Sequence, residues 1–474
     1  MMKAAHAARW SVLENGGLVL ISFGSLVVYA RFLSAAEFGL FAIALSVIEV
    51  LTVLVSMLFH DALVQRGEAR ASHFDTAFTA TLALSAVLVG VCWAISPLLS
   101  GTVAPVLLAL AVSLPLTASS AVLVAHRRRH LDFRTLAITS LSGRALGAAV
   151  GIVLVVLGFG LWALVAQHVV FVACTAALLW ARAPERPRLR FARAEFRELI
   201  GFGLACVSDL LLIFSVKRLF IVASGVLLGA HAAGVLALAF RAFDTLWAVG
   251  VTALSQVMLP ILSRLQSDAE RLRQAFVATV SLVCLVSYFG FVLLAATAPE
   301  VVALLFGPKW AEVAPFLTLF CLQVLTGAVR APMAVTLKVL GRPRELVLCQ
   351  TAEFAFLAAV IAAYGMPSIA WAVGIWLARE AIGTGMQVWL FGRSSVRVPF
   401  FLPGAVGVPL IGALLMFAAV SACRELLGAP SLVVLGAVGT AVYLGCVAVL
   451  DPRLLTQLLL FIQAAVRRVQ VMPT

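Results

Sequence analysis

The sequence has few charged residues: they make up 12% of its 474 residues, while 63% are apolar. A soluble domain is about half apolar and a quarter charged, so this composition excludes a soluble globular protein. One membrane-spanning helix uses about 20 apolar residues, and fourteen such helices would use roughly 280. The chain is therefore long enough for a polytopic membrane protein with loops and tails.

Motifs for metal, redox, ATP and nucleophilic chemistry are also missing. The eight cysteines lie in or beside apolar runs with no CxxC and no Cys/His ligand spacing, so they are best explained as small buried hydrophobes. No GxxxxGK[ST] phosphate loop is present, which excludes ATP hydrolysis by that route. Neither paired carboxylates nor a nucleophile motif stands in an aqueous segment. We expect no enzyme activity, no catalytic residue, no metal and no cofactor.

Two further absences bear on the class of protein. Every predicted outer loop is short, the longest being Ala298–Glu312, which disfavours a membrane glycosyltransferase or ligase with an external active site. The connection HDALVQRGEARASHFD lacks the DRxGR pattern of major-facilitator transporters. The basic cluster His126–His130 (HRRRH) has no interleaved aromatic residues, so we expect it to anchor a helix at the membrane surface and to bind no nucleic acid.

Apolar runs bounded by charge, Gly or Pro predict an all-α polytopic fold of about fourteen transmembrane helices. The predicted helices span residues 16–33, 38–59, 76–98, 103–125, 135–157, 160–180, 198–222, 234–258, 274–297, 313–335, 344–364, 367–391, 402–423 and 431–450. The corresponding domains are an N-terminal six-helix lobe (1–182), a basic cytoplasmic linker (183–197), a C-terminal six-helix lobe (198–391), helices thirteen and fourteen (392–450) and a cytoplasmic amphipathic tail (451–474).

The net charge of +13 is explained mainly by orientation. With the N-terminus inside, about 25 of the Lys and Arg residues fall on the cytoplasmic side, as basic residues in short loops do. The prediction is a multi-pass protein of the bacterial cytoplasmic membrane with both termini in the cytoplasm.

An internal repeat links the second and eighth predicted helices. Residues 37–51 (EFGLFAIALSVIEVL) align with residues 232–246 (AAGVLALAFRAFDTL) at one constant offset. Gly39 matches Gly234, and the acid Glu49 matches Asp244. Since each half has an even number of helices, the halves point the same way, as in the parallel repeats of secondary transporters, which place their site between the halves.

Charged residues inside the predicted helices are the candidate site. A Lys or Arg at a helix centre costs about 2.5 to 3.5 kcal/mol, so these residues must face water, a ligand or one another. The candidate substrate-binding cations are Arg144, Lys217, Arg218, Arg241, Arg330 and Arg379. The acids that balance charge or couple to protons are Glu49, Asp209, Asp244, Glu353 and Glu380. A cationic cavity suits a pyrophosphate; interhelical ion pairing is the alternative.

Three stretches carry a resemblance to a known family. Tyr29–Arg66 contains an Arg-x-Leu, an acid-aromatic-Gly that opens the second helix and a VQR ending, and Leu304–Leu317 (LLFGPKWAEVAPFL) and Leu337–Glu345 (LKVLGRPRE) follow later. The sequence resembles the polysaccharide transporters, or Wzx-like oligosaccharide flippases, of the multidrug/oligosaccharidyl-lipid/polysaccharide exporter superfamily. At matching positions the resemblance marks four gating or structural residues: Arg31, Arg66, Lys309 and Trp310.

The resemblance implies two six-helix lobes around a central cationic cavity, with alternating access. It also implies transport of undecaprenyl-pyrophosphate-linked oligosaccharide repeat units for O-antigen, capsule or exopolysaccharide assembly. Expected partners are the lipid bilayer, the lipid-linked substrate, a polysaccharide polymerase and glycosyltransferases. The alternatives are a flippase for the peptidoglycan lipid precursor, a multidrug or cation exporter of the same superfamily and, as the enzyme alternative, a membrane glycosyltransferase or ligase.

Overall fold

A computed structural model of the chain describes residues 2–99, 101–183, 185–266, 268–394, 403–428 and 431–456. Within these ranges it describes all side chains except those at 2–8, 12, 209, 249, 253, 256, 257, 260, 261 and 403. Every regular element in the described ranges is helical, which confirms the predicted all-α fold. Most of the predicted amphipathic tail, residues 457–474, lies outside the described residues.

The first half of the chain contributes helices α1 to α9. They are α1 (Met2–Phe32), α2 (Ala35–Met57), α3 (His60–Gln65), α4 (Ala71–Ile95), α5 (Val103–Ala111), α6 (Ser113–Arg129), α7 (Phe133–Val156), α8 (Trp162–Ala181) and α9 (Arg193–Leu228). The remainder are α10 (Ala230–Trp247), α11 (Ala253–Ser263), α12 (Ala269–Ala296), α13 (Ala298–Leu305), α14 (Val313–Leu322), α15 (Val324–Val339), α16 (Pro343–Tyr364), α17 (Ile369–Gly392), α18 (Val408–Leu427) and α19 (Leu432–Leu450).

The described residues do not confirm the predicted number of membrane spans. Twelve helices among the described residues are long and apolar enough to cross a membrane, and a thirteenth span results if α14 and α15, bent by 43°, are one span. The predicted helix 367–391 forms as α17, but it is not among these spans. The count of fourteen is therefore not confirmed, while the polytopic character of the chain is.

Two predicted helices are broken at equivalent places in the two sets of six. The predicted helix 103–125 forms as α5 and α6, which meet at Val112, and the predicted helix 313–335 forms as α14 and α15, which meet at Gln323. The first break has a local cause, because Pro115 has no N–H to donate to the carbonyl of Ala111. Apolar content alone does not reveal such a break.

The acid-aromatic-Gly motif at the start of α2 builds the end of that helix. Ser34 is its N-cap, and the Ser34 hydroxyl accepts a hydrogen bond from the Glu37 amide at 3.3 Å. The Glu37 carboxylate accepts one from the Ser34 amide at 2.9 Å, which completes a capping box. Phe38 is buried next to this cap. The acid of the motif, Glu37, therefore has a role in starting the helix.

The described chain forms two compact units, and unit 1 comprises Met1–Ala237 and Ile361–Ile369. One core of unit 1 lies where α2, α3, α4, α6 and α9 meet, with Phe59, Leu63, Phe78 and Leu199 buried at its centre. Helices α9 and the beginning of α10 thus belong with the first six predicted spans in this division of the chain.

Glycines in α7 allow α8 to pack closely against it. A Cβ atom at Gly147 would lie 2.6 Å from the carbonyl oxygen of Gln167, and one at Gly143 would lie 2.2 Å from the Thr175 hydroxyl. At Gly151 the same atom would lie 2.0 Å from the hydroxyl of Tyr29 on α1. The stripe of small residues therefore sets the distance between these helices.

Unit 2 comprises Leu238–Val360 and Ala370–Thr474. Its interior is rich in aromatic side chains, and the buried tyrosines bond to backbone carbonyls. Tyr288 donates to the carbonyl of Leu325 at 2.7 Å, and Tyr443 donates to that of Leu285 at 2.8 Å. Arg424 of α18 contacts Glu300 at the start of α13, with 2.6 Å between Nε and Oε1. These contacts join α12, α13, α15, α18 and α19.

Candidate functional site

Arg218, one of the candidate cations, forms an ion pair with Glu49 in unit 1. Its Nε lies 2.6 Å from Oε2 of Glu49, which joins α9 to α2. Both side chains are largely buried, with 20% and 29% of their surfaces exposed. Glu49 is one of the two acids at equivalent positions in the repeat. This pair agrees with the alternative interpretation, interhelical ion pairing, in which charges inside the membrane neutralise each other.

Glycines bring α9 close to α2 on both sides of this ion pair. A Cβ atom at Gly203 would lie 2.0 Å from the carbonyl oxygen of Leu58, and one at Gly225 would lie 2.2 Å from Cδ1 of Ile43. The two glycines therefore allow α9 to lie close to α2. Arg218 is between these glycines in the chain, so its side chain is near enough to reach Glu49.

The other unit 1 candidates have different surroundings. The guanidinium carbon of Arg144 lies 3.9 Å above the ring centre of Phe171, a cation–π contact between α7 and α8. Lys217 is half-buried on α9, beside Arg218 in the chain. The side chain of Asp209 lies outside the described residues.

In unit 2 a buried network brings together two candidate cations and two candidate acids. Arg330 donates from Nη1 to Glu380 and from Nη2 to Glu353, at 2.5 Å in each case. Arg379 bonds to Glu353 and, at 2.8 Å, to Glu380. Each carboxylate therefore contacts both guanidinium groups, and the two positive and two negative charges cancel. The residues come from α15, α16 and α17.

Neighbouring side chains complete this network, which we call the Arg–Glu tetrad (Arg330, Glu353, Arg379 and Glu380). The amide of Gln387 accepts from Nε of Arg330 at 3.2 Å and donates to the Arg330 carbonyl at 2.8 Å. The guanidinium carbon of Arg379 lies 4.1 Å from the ring centre of Trp376. Glu353 also fills the space beside Gly383, where a Cβ atom would lie 1.8 Å from Oε1 of Glu353.

The tetrad is suited to holding three helices in register. Its members have between 5% and 17% of their side-chain surface exposed. Removing one member of a buried ion pair leaves the other charge uncompensated, which costs about 3 to 5 kcal/mol. The sequence reasoning named all four residues but missed Gln387, Trp376 and Gly383. Trp376 and Gln387 lie on the same helix as Arg379 and Glu380, and their spacing along that helix is the sequence signal that could have identified them.

Arg241 and Asp244 differ from the tetrad because their side chains are exposed. They lie three residues apart on α10, which places them on neighbouring positions of one helix face. Ala242, between them in the chain, is buried. An arginine held in lipid near the middle of a membrane-spanning helix costs several kcal/mol, so this face requires water or a polar ligand.

The four predicted gating or structural residues lie near helix ends. Arg31 is exposed in the last turn of α1, and Lys309 is exposed in the turn Pro308–Trp310. Trp310 is buried, with 1% of its surface exposed. Arg66 bonds to Glu198 and also donates from Nε to the carbonyl of Glu68 at 3.0 Å.

A cluster around Arg66 was missed by the sequence reasoning. His73 accepts from the Arg70 amide through Nδ1 at 3.2 Å, so its Nε2 carries the proton and donates to Glu198 at 3.3 Å. This hydrogen bond and the positive charge of Arg66 hold the pKa of Glu198 below its usual value. Arg129 donates to the carbonyls of Leu63 and Gly67. The cluster ties the chain after α3 to α4, α6 and α9.

The family follows from comparison with known sequences. The sequence profile of a family described as polysaccharide biosynthesis protein matches residues 28–315, more than half of the chain. The chain belongs to this family. The match covers the capping box of α2, the Arg218–Glu49 pair and the face with Arg241, and it ends before the tetrad.

Individual relatives in the family have names that refer to transport and biosynthesis of polysaccharides. The chain is 28% identical over 322 residues to the succinoglycan biosynthesis transport protein ExoT of Rhizobium meliloti, covering 66% of this chain and 65% of that protein. It is 22% identical to the lipopolysaccharide biosynthesis protein WzxC of Escherichia coli, covering 72% and 70%. The chain thus spans slightly less than two thirds of the length of ExoT.

Solved structures show the same fold. The chain is similar to the lipid II flippase MurJ in an inward closed conformation, with a TM-score of 0.77, 11% identity and coverage of 94% of this chain and 100% of that one. An inward-facing multidrug transporter of the MATE family in the MOP superfamily gives a TM-score of 0.61, with 14% identity and coverage of 78% and 93%. These similarities establish that the chain has the fold of these two proteins.

Proposed function

We propose that this protein moves undecaprenyl-pyrophosphate-linked oligosaccharide repeat units across the bacterial cytoplasmic membrane by alternating access. The observation that carries the proposal is an exposed arginine, Arg241, on a membrane-spanning helix of a polysaccharide biosynthesis family member. The relatives whose names refer to transport and to lipopolysaccharide biosynthesis support it. A guanidinium matches the oxygens of a pyrophosphate well.

The candidate cations divide into two groups in this proposal. Arg241 attracts the pyrophosphate and anionic sugars, because its side chain is exposed on α10. We assign Lys217 and Arg144 to the same role. Arg218, Arg330 and Arg379 position the helices through their carboxylate partners. Among the acids, Asp244 balances the charge of Arg241, and Glu49 remains our candidate for proton coupling.

The proposal also covers the setting of the protein. The chain is a multi-pass inner membrane protein, and we propose that both termini lie in the cytoplasm and that residues 183–197 link the two lobes there. We propose a transporter without catalytic activity of its own, which receives its cargo from glycosyltransferases and delivers it to a polysaccharide polymerase.

A flippase for the peptidoglycan lipid precursor is the second candidate. Similarity to MurJ over 94% of this chain favours it, although at 11% identity this likeness concerns the fold alone. The two functions differ in the sugar attached to the carrier lipid. Rescue of cells depleted of their own peptidoglycan flippase, with no effect on polysaccharide export, would favour the second candidate.

The test is deletion of the gene in its host, with complementation. Deletion is expected to reduce surface polysaccharide and to raise the amount of lipid-linked repeat units in the inner leaflet. Wild-type protein restores both, whereas Arg241→Gln at equal expression restores less than a tenth of export, because a pyrophosphate contact is worth at least one factor of ten.

Arg453→Gln is the matched control, since Arg453 is exposed after α19, outside the membrane spans. It is expected to restore export fully. An unchanged level of inner-leaflet repeat units after deletion would contradict the function. Full export with Arg241→Gln would contradict the role of Arg241 in binding the cargo, but it would not contradict the proposed function.

A further inference from the structure

A basic segment of unit 1 joins the end of α8 to the start of α9. We call residues 185–193 the basic strap. Its arginines are all exposed, and its only acid is Glu185. The exposed arginines are Arg186, Arg188, Arg190 and Arg193. Orientation in the membrane explains why such residues are basic, but it does not explain how the strap is held or which apolar residues it carries.

Three hydrogen bonds fix the backbone of the strap along α4. The Arg188 amide donates to the carboxylate of Asp75 at 2.8 Å, and the Ala192 amide donates to the hydroxyl of Thr76 at 3.2 Å. The Thr79 hydroxyl donates to the carbonyl of Arg190 at 2.9 Å. Since these bonds use backbone atoms of the strap, its arginine side chains are not needed for the attachment and stay exposed.

Large apolar side chains alternate with the arginines on the strap. Leu189 is 71% exposed, and Phe191 is 55% exposed although its ring centre lies 5.4 Å from that of Phe196. The sequence Arg188-Leu-Arg-Phe therefore carries two apolar and two cationic side chains on a fixed backbone. The partner that complements this arrangement is a surface in which apolar groups and anionic groups lie close together.

The strap lies where the membrane-spanning helix α8 ends. The span Trp162–Ala181 stops just before it, and α9 begins at Arg193. At this level of a bilayer the lipid phosphates lie next to the first part of the acyl chains. Arginines reach phosphates there, while leucine and phenylalanine reach the acyl chains.

We propose that the basic strap is a binding site for anionic phospholipid headgroups. Arg188, Arg190 and Arg193 bind the lipid phosphate, and Leu189 and Phe191 insert beside it. The pinned backbone lowers the conformational entropy lost on binding, which favours a site over a diffuse attraction. This proposal is independent of the cargo, because it concerns lipids of the surrounding membrane and does not involve Arg241.

Native mass spectrometry of the full chain in detergent tests the proposal, with cardiolipin, phosphatidylglycerol or phosphatidylcholine added. Wild-type protein is expected to retain the two anionic lipids at concentrations where phosphatidylcholine is lost. The triple variant Arg188→Gln/Arg190→Gln/Arg193→Gln is expected to bind anionic lipid more weakly by about fivefold for each arginine removed. The backbone bonds to α4 remain in this variant, so its thermal stability without lipid should match that of the wild type.

A charge-matched control separates a site from general attraction. Arg264→Gln/Arg344→Gln/Arg453→Gln removes three exposed arginines outside the strap and should bind anionic lipid as the wild type does. An equal loss in the two triple variants, or equal retention of phosphatidylcholine, would overturn the proposal. Poly-glutamate tests the alternative of an acidic protein partner. If poly-glutamate binds through the strap arginines while the protein shows no preference among lipids, the proposal is overturned in favour of such a partner.

The apolar half of the site has its own variant. Leu189→Ser/Phe191→Ser is expected to weaken binding of cardiolipin at least fivefold while leaving binding of inorganic phosphate unchanged. Lipid binding that is unaffected by this change would contradict insertion of the two side chains.

Discussion

Arg379 and Arg241 show two ways in which a charged residue is accommodated in a helical membrane protein. Arg379 is 7% exposed, stacks on Trp376 and contacts two carboxylates. Arg241 is exposed on α10. For a buried guanidinium, stability depends on the partner carboxylates, whereas an exposed one is available to a ligand. Substitutions at the two positions should therefore affect different properties.

Glu353→Gln is expected to destabilise the protein by about 3 kcal/mol, because it leaves the two arginines of the tetrad with one carboxylate between them. Thermal unfolding of the purified protein in detergent, followed by tryptophan fluorescence, measures this. Arg241→Gln is the matched control and should leave the unfolding temperature unchanged while reducing export.

The double variant Glu353→Gln/Arg379→Gln examines the same network through charge balance. It leaves Arg330 and Glu380, which lie 2.5 Å apart, as a neutral pair. We expect it to recover part of the stability lost in Glu353→Gln. A double variant whose loss equals the sum of the two single losses would show that the tetrad does not act through charge compensation.

Glu198 provides a pH-dependent contribution to stability. Its pKa is lowered by the hydrogen bond from His73 and the charge of Arg66. A carboxyl group whose pKa is lower in the folded state stabilises that state above its unfolded pKa, about 4.3 for glutamate, and loses this effect as the pH falls. Wild type should be more stable than Glu198→Gln at pH 7, and the difference should shrink as the pH falls below about 4.3.

The comparison for this measurement is Glu68→Gln, at an exposed glutamate between α3 and α4, in the same segment as Arg66. Unfolding temperatures at several pH values should show no gap between Glu68→Gln and the wild type. A constant gap for Glu198→Gln from neutral to acidic pH would contradict an ionic contribution.

At the scale of helices, close contacts between backbones decide where α2 and α10 meet. A Cβ atom at Gly39 would lie 1.7 Å from the carbonyl oxygen of Ala230, and one at Gly234 would lie 1.8 Å from that of Ala35. The repeat aligns Gly39 with Gly234, and Ala35 and Ala230 have the same offset. The contact therefore has the same symmetry as the sequence repeat.

Gly39→Ala and Gly234→Ala are expected to destabilise the protein by similar amounts, about 1 to 3 kcal/mol each, because both force the two helix backbones apart. Gly24→Ala in α1 is the control, since no atom lies within 4 Å of the added Cβ and alanine favours helix. Thermal unfolding of the three variants measures the effect. Equal stability of Gly39→Ala and Gly24→Ala would show that the close contact is absent in the membrane.

At the scale of the whole molecule, the distribution of basic residues predicts orientation. A fluorescent protein fused after Arg453 is expected to fluoresce, because the proposed orientation places the C-terminal side of α19 in the cytoplasm. Alkaline phosphatase fused after Lys309 is expected to be active in the periplasm. Exchange of the two reporters between the sites should abolish both signals. The opposite pattern would reverse the topology and place the basic strap on the outer side.

Several features follow from the sequence by itself, because they depend on local composition and spacing. Apolar runs of about 20 residues fix an all-helical membrane fold, since unpaired backbone groups are not tolerated in lipid. The constant offset between residues 37–51 and residues 232–246 reveals the repeat, and their position in apolar runs marks the charges of the tetrad as unusual. The breaks at Val112 and Gln323, and the number of spans, required the structure, because apolar content is continuous across them.

Only the tertiary structure decided which charges neutralise each other. Arg330, Glu353 and Arg379 are separated by 23 and 26 residues along the chain, and Arg218 lies far from Glu49, so their contacts depend on how helices pack. The sequence determined that charges occur inside membrane-spanning helices. Packing determined their surroundings, because a side chain reaches only a few ångströms and its partners are set by neighbouring helices.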